Sequence, residues 1–185
     1  MPTFKITLEY DGTRFVGWQR QAAGTSIQGL VEDALEKLEG RAVNAAGAGR
    51  TDAGVHALGQ VASFTLHRGI DVSTLARALN GNLPPEVRVR AADIRPDGFH
   101  ARFNAIAKTY RYRISNTATL SPFDRLYTWH VHGALDVDRM NEAAQALVGR
   151  HDFAAFQSLS ATPRTTERTV TASEVRRDGA LVLYE

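Results

Sequence analysis

The chain opens on a strict alternation in which Phe4, Ile6 and Leu8 are apolar and Lys5, Thr7 and Glu9 polar, the period of a strand with one buried face. This predicts a strand running to about Tyr10, ended by the turn signal Asp11-Gly12. The period then changes. From Ile27, apolar residues recur at Leu30, Val31, Ala34, Leu35 and Leu38, a helical spacing that ends at Gly40, and Thr25-Ser26-Ile27-Gln28 fits a capping box at its start. Ala62, Phe64 and Leu66 predict a second strand, Leu75, Ala78 and Leu79 a short helix stopped at Gly81, and Val87, Val89 and Ala91 a third strand. Strand, helix, strand, helix, strand is the order of a split βαβ unit, the ferredoxin-like pattern.

A turn-rich link, Arg95 to Asn104, separates this half from the second, which divides the chain into residues 1–104 and 105–185. In the second half, Lys108 to Ile114 alternates again, with Tyr110, Tyr112 and Ile114 on one face and Arg111 and Arg113 on the other. Tyr112 is expected in the core. Asp136 is placed to cap a helix carrying Met140, Ala143, Ala144 and Leu147 and stopped at Gly149. Strands are expected around Val170 to Val175 and Ala180 to Tyr184, joined through Asp178-Gly179. The halves repeat strand and helix in similar order without a residue-level repeat.

Composition narrows the class. The 185 residues are 43% hydrophobic and 23% charged, ordinary for a folded protein able to bury one or two cores. A net charge of +2 permits an acidic partner such as RNA but cannot argue for one. The absence of cysteine excludes disulfides, thiolate metal sites and thiol nucleophiles. No apolar run reaches the length of a membrane span, and the amino terminus alternates like a strand where a signal peptide would be uniformly apolar. A cytoplasmic protein is the expectation.

The stretch with chemistry in it is Gly47 to Ala57, Gly-Ala-Gly-Arg-Thr-Asp-Ala-Gly-Val-His-Ala. It is not a P-loop, because Val55 and His56 stand where a phosphate-binding lysine and hydroxyl belong. Nor is it a dinucleotide fingerprint, since the glycine spacing is wrong and the next element is a strand, not a helix. In an extended segment Arg50 and Asp52, two apart, project to one side. An arginine beside an aspartate favours the ionised carboxylate that a nucleophile needs, and a guanidinium can hold a phosphate or a displaced base. The plainer reading is a glycine-rich turn with a surface Arg–Asp pair. Upstream, Phe15 and Trp18 are interleaved with Arg14 and Arg20; such rings either stack on bases or fold back into the core. His130 and His132, or Asp136 and Asp138, supply only two candidate metal ligands together. His56 and His100 read as hydrogen-bonded structural groups.

Five blocks in order resemble the tRNA pseudouridine synthase A family: Glu9-Tyr-Asp-Gly-Thr-Arg-Phe-Val-Gly-Trp-Gln-Arg-Gln21, Gly49-Arg-Thr-Asp-Ala-Gly-Val-His-Ala57, Leu79-Asn-Gly-Asn-Leu-Pro84, Phe99-His-Ala-Arg-Phe103 and Lys108-Thr-Tyr-Arg-Tyr112. The resemblance implies an α+β fold of two ferredoxin-like halves with antiparallel sheets facing each other across a basic cleft. It also implies a homodimer, and uridines of the tRNA anticodon stem-loop as substrate. By the same resemblance Asp52 matches the catalytic aspartate, Arg50 the basic residue implicated in displacing the base, and Tyr110 the tyrosine that packs on the uracil. Exchanging a C–N for a C–C glycosidic bond changes no oxidation state, so no cofactor is expected.

The family pattern continues past the last strand here into a segment with Met-Val-Arg-x-x-Val-Gly, whereas this sequence ends at Glu185. The expectation is an incomplete second half with an unpaired strand edge and exposed apolar surface, and a 185-residue chain that is poorly soluble or inactive alone. Two rival functions remain: a tRNA-binding homologue without turnover, and a nucleoside glycosidase that uses Asp52 as nucleophile and releases free uracil.

Overall fold

A computed structural model of the chain describes residues 1–157 and 165–185. The chain divides into two compact units, Met1–Ala107 and Lys108–Glu185. In the first, the elements are β1 (Thr3–Tyr10), α1 (Ile27–Glu39), β2 (Ala46–Gly47), β3 (Ala57–Thr65), α2 (Val72–Asn82) and β4 (Val87–Arg95). The sheet order is β2-β3-β1-β4, every pair antiparallel. This is the split βαβ arrangement, β3 lying between β1 and β2 and β1 between β3 and β4.

The alternation of β1 does what its period predicts. Phe4, Ile6 and Leu8 are fully buried against Ile27, Val31 and Leu35 of α1 and Leu75 and Leu79 of α2, each contributing about 1.5–3 kcal/mol by leaving water. Phe4 pairs with Phe64 across the ladder, the rings stacked with centroids 6.0 Å apart. Near the carboxyl end of β1 the register slips on both sides: Leu8 faces Gln60 but Tyr10 faces Ala57, and Thr7 faces Ala91 but Leu8 faces Val89. Each neighbour thus carries one extra residue there, a bulge that bends the sheet where the loops begin.

The cap of α1 differs from the expected box. Ser26 is the N-cap, its hydroxyl accepting from Gly29 N, and Gln28 does not reach back. Its amide instead donates to Glu32 and to Ala45 O while its oxygen accepts from Arg20 N. The helix ends as expected at Gly40, in the left-handed region at φ 79°. In α2, Asp71 caps the start by accepting from Ser73 N and Thr74 N. Gly81 does not end this helix, which runs to Asn82. The stop comes from Leu83, extended at ψ 146° because Pro84 is next in the chain.

The second unit contains β5 (Tyr112–Ser115), β6 (Trp129–His130), α3 (Val137–Gln145), β7 (Gly149–Asp152), a single 3-10 turn (Ala154–Phe156), β8 (Glu167–Val170), β9 (Val175–Asp178) and β10 (Leu181–Tyr184). Its main sheet has the order β6-β5-β10-β9. The path β5, α3, β9, β10 repeats β1, α1, β2, β3 of the first unit in spatial order and strand direction. Beside β5, where β4 lies beside β1, the described residues place only the two-residue parallel β6, so the second half is incomplete relative to the first. β7 and β8 form a separate ribbon. The core is correspondingly small: Ile114, Ala144, Val175 and Val182.

Four expectations are corrected in this unit. The strand starts at Tyr112 and not at Lys108, and Tyr112 is 60% exposed, lying alongside the Tyr184 ring at 6.0 Å. Helix α3, capped by Asp136 as expected, ends at Gln145. Beyond it Ala146, Leu147 and Val148 donate to carbonyls three residues back, a tightened last turn, and Gly149 opens β7 instead of closing the helix. Val170 and Val175 do not share a strand: β8 ends at Val170 on β7, and β9 begins at Val175 on β10. The hairpin through Asp178-Gly179 forms as expected, with Gly179 at φ 58°. Among the described residues no helix is long and apolar enough to cross a membrane.

Candidate active site

Two loops of the first unit close on each other at the carboxyl end of β1. The upper one begins with an Asx turn, Asp11 Oδ1 accepting from both Thr13 N and Thr13 Oγ1. Phe15 and Trp18, at 8% and 3% exposure, then drop into the core, so of the two readings of these aromatics the packing one holds. Arg20 is spent on α1, donating to Glu32 at 3.2 Å and to Asp33 at 2.8 Å; Asp33 first and Glu32 second push its pKa further up. Arg14 is exposed, 3.6 Å from Glu86.

The lower loop carries the Arg-Thr-Asp triplet, and its backbone is pinned almost residue by residue. Gln60 Nε2 donates to Gly49 O at 2.6 Å, Trp18 N to Thr51 O at 2.9 Å, Val55 N to Asp52 O at 3.2 Å, and Gly54 N to Phe15 O at 3.2 Å. The Thr51 hydroxyl shares a hydrogen bond of 2.9 Å with the hydroxyl of Tyr10, a residue only 3% exposed. Contact between the loops is so close that two positions exclude a β-carbon. One added at Gly12 would lie 2.0 Å from Val55 O, and one at Gly17, whose φ is 101°, would lie 2.4 Å from Thr51 O.

On this fixed backbone the side chains of Arg50 and Asp52 face solvent. They make no ion pair with each other, and neither side chain has a hydrogen-bond partner among the described residues. Tyr110 belongs to the second unit, two residues before β5, and is 62% exposed. His56 accepts from Gly12 N through Nδ1, which also lies 3.1 Å from Asp11 Oδ1, and so ties one loop to the other. His100 accepts from Arg102 N and packs on Phe103 with ring centroids 4.4 Å apart. His130 packs on His132, centroids 4.2 Å apart, and contacts Thr117 O, while Asp136 is the cap of α3. Among the described residues no three His, Asp or Glu side chains come together as a metal site.

The residues that sequence reasoning missed are the supports, Tyr10, Thr51 and Gln60. Tyr10 reads as the last core position of a strand and Gln60 as one polar residue of an alternation. The break of that alternation at Leu58-Gly59, where the bulge falls, is the signal that could have marked them.

The two loops thus present an exposed arginine and an exposed aspartate on a backbone held by hydrogen bonds from β1, β3 and the neighbouring loop. A sequence model of the tRNA pseudouridine synthase family matches residues 6–104, a span holding both loops. The chain is 47% identical over 185 residues to the tRNA pseudouridine synthase A of Geobacter sulfurreducens, covering 100% of this chain and 76% of that one. To the proteins of the same name from Afipia carboxidovorans and Myxococcus xanthus it is 45% and 48% identical, covering 98% and 92% of this chain and 75% and 64% of theirs. The chain belongs to the tRNA pseudouridine synthase family, a family of isomerases.

Proposed function

We propose that this chain converts uridine to pseudouridine in the anticodon stem-loop of tRNA, with Asp52 as the catalytic carboxylate. The observation that carries this is the solvent-facing, partnerless Asp52 side chain on a loop held from beneath, inside the span the family covers. Two balanced routes are open to it. In one, an Asp52 oxygen bonds to C1′ of the ribose while the C1′–N1 electron pair leaves with uracil. The ring turns, C5 attacks C1′ and displaces the carboxylate, the C5 proton is lost, and N1 takes up a proton in its place. In the other, Asp52 takes the C2′ proton, uracil leaves with the C1′–N1 electron pair to give a glycal, and C5 re-adds at C1′ as the proton returns to C2′, the C5 proton then being lost and N1 taking one up. Neither needs a redox or energy donor.

Either route requires the uridine out of its stack, a cost of a few kcal/mol that an aromatic face offsets by about 1–3 kcal/mol. Tyr110, exposed in the second unit, is assigned that part, and Arg50 the part of holding the displaced base or its phosphate. The reading includes a homodimer when the full-length protein is made, as the resemblance implies, and a cytoplasmic location.

Tritium release from tRNA labelled at C5 of uridine tests the assignment. Asp52→Asn is expected to lower the rate by about a thousandfold or more while tRNA binding persists. Undiminished release rejects Asp52, tRNA binding without release by the parent chain favours the turnover-free homologue, and free uracil in solution favours the glycosidase.

A further inference from the structure

Between the two exposed functional side chains lies Thr51, the best-anchored residue of the loop. Its carbonyl accepts from Trp18 N at 2.9 Å, the same oxygen closes against Gly17, and its hydroxyl meets that of Tyr10 at 2.9 Å. Tyr10 is otherwise a core residue, 3% exposed and packed in the cluster that includes Leu8 and Trp18. A phenylalanine would fill that volume without a hydroxyl to desolvate, and a buried hydroxyl is costly unless it is partnered. Burial first of all pushes the Tyr10 pKa up, against its contacts with Thr51 and Gln60, so the phenol stays protonated. Gln60 in turn donates to Gly49 O at 2.6 Å. Gln60 thus holds the backbone just before Arg50, while the Tyr10 hydroxyl holds the side chain of Thr51, the residue between Arg50 and Asp52.

We propose that Tyr10 and Thr51, supported by Gln60, are positioning residues that aim the Asp52 carboxylate. The hydroxyl pair ties the carboxyl end of β1 to the residue preceding the aspartate, so the strand's place in the sheet fixes where the acid points. This inference rests on Asp52 being the catalytic group, and it adds residues that touch no substrate.

The test uses the full chain and the variants Tyr10→Phe, Thr51→Val, Thr51→Ser and the double Tyr10→Phe/Thr51→Val, with Asp52→Asn alongside. Single-turnover rate and tRNA affinity are measured with tRNA, and amide hydrogen exchange at Trp18 and Val55 without it. Tyr10→Phe and Thr51→Val are each expected to slow the single turnover about ten- to a hundredfold with affinity unchanged, and to speed exchange at Trp18 and Val55 about tenfold. Thr51→Ser restores both, and the double variant is no worse than the poorer single one. Unchanged exchange at these amides, a loss that serine does not restore, or additive losses in the double variant overturns the proposal. Should Asp52→Asn remain active, the assignment of the acid fails by itself, and the exchange data still decide whether the hydroxyl pair holds the loop.

Discussion

At the scale of the residue, Tyr10 also makes a prediction that does not depend on turnover. Its pKa in the folded chain is raised above the ordinary 10.0, chiefly by burial. The unfolded chain therefore gives up this proton at lower pH than the folded one, and the folded state binds more protons just above that value. Its contribution to stability is complete below pH 10.0 and is lost as pH climbs through the folded pKa. Urea unfolding at neutral pH and again above pH 10.0 should show the parent losing more stability than Tyr10→Phe; equal losses would mean that the phenol is not sheltered. Glu32 shows the same economy of buried polar groups. Its carboxylate accepts from Ala45 N at 3.0 Å, from Gln28 at 2.9 Å and from Arg20 at 3.2 Å, so a charge placed near the core is met on several sides.

At the scale of the element, the loops depend on what their neighbours lack. Gly17→Ala forces a β-carbon onto a residue at φ 101° and to 2.4 Å from a backbone oxygen. It should lower the unfolding free energy by about 2–4 kcal/mol. Gly59→Ala, in a strand where nothing lies within 4 Å of the added carbon, is the control and should change the urea midpoint little. Elements with long, clean periods were legible in the sequence. β1 and α1 appear within a residue or two of their expected ends because one buried face fixes each pattern. Errors arose where a local signal competed with a stronger one. Gly81 reads as a stop, but Pro84 sets the end of α2; Gly149 reads as a cap, but α3 has already tightened at Ala146. Tyr112 reads as core by alternation, yet a four-residue strand with a small core leaves it exposed. Arg50 and Asp52 stand out in the sequence as two charged residues in one glycine-rich loop, and the structure leaves both exposed with no ion pair between them; the Tyr10 hydroxyl and Gln60 amide beside them were not legible, because they belong to strands whose register no local pattern reveals.

At the scale of the whole molecule, the first unit closes a continuous core from Phe4 to Val89, whereas the second buries little beyond Ile114, Ala144, Val175 and Val182. Residues 102–113 are exposed throughout, while Ala101 is buried with its N–H donated to Ser63 Oγ at 2.9 Å. Brief trypsin digestion is expected to cut first between Arg102 and Arg113 and to leave the first unit as a resistant fragment identifiable by mass. Early cuts inside residues 1–100 would show that this unit does not stand alone.

The double slip of register beside Leu8 falls at the end of the sheet from which both loops spring. Deleting the surplus residue from β3 would give a straighter ladder with every rung in place. Ala57 would still lie opposite Tyr10, but the bend and added twist that a bulge gives the strand would be gone. The chain keeps an imperfect weave at the end of the sheet where its two loops meet.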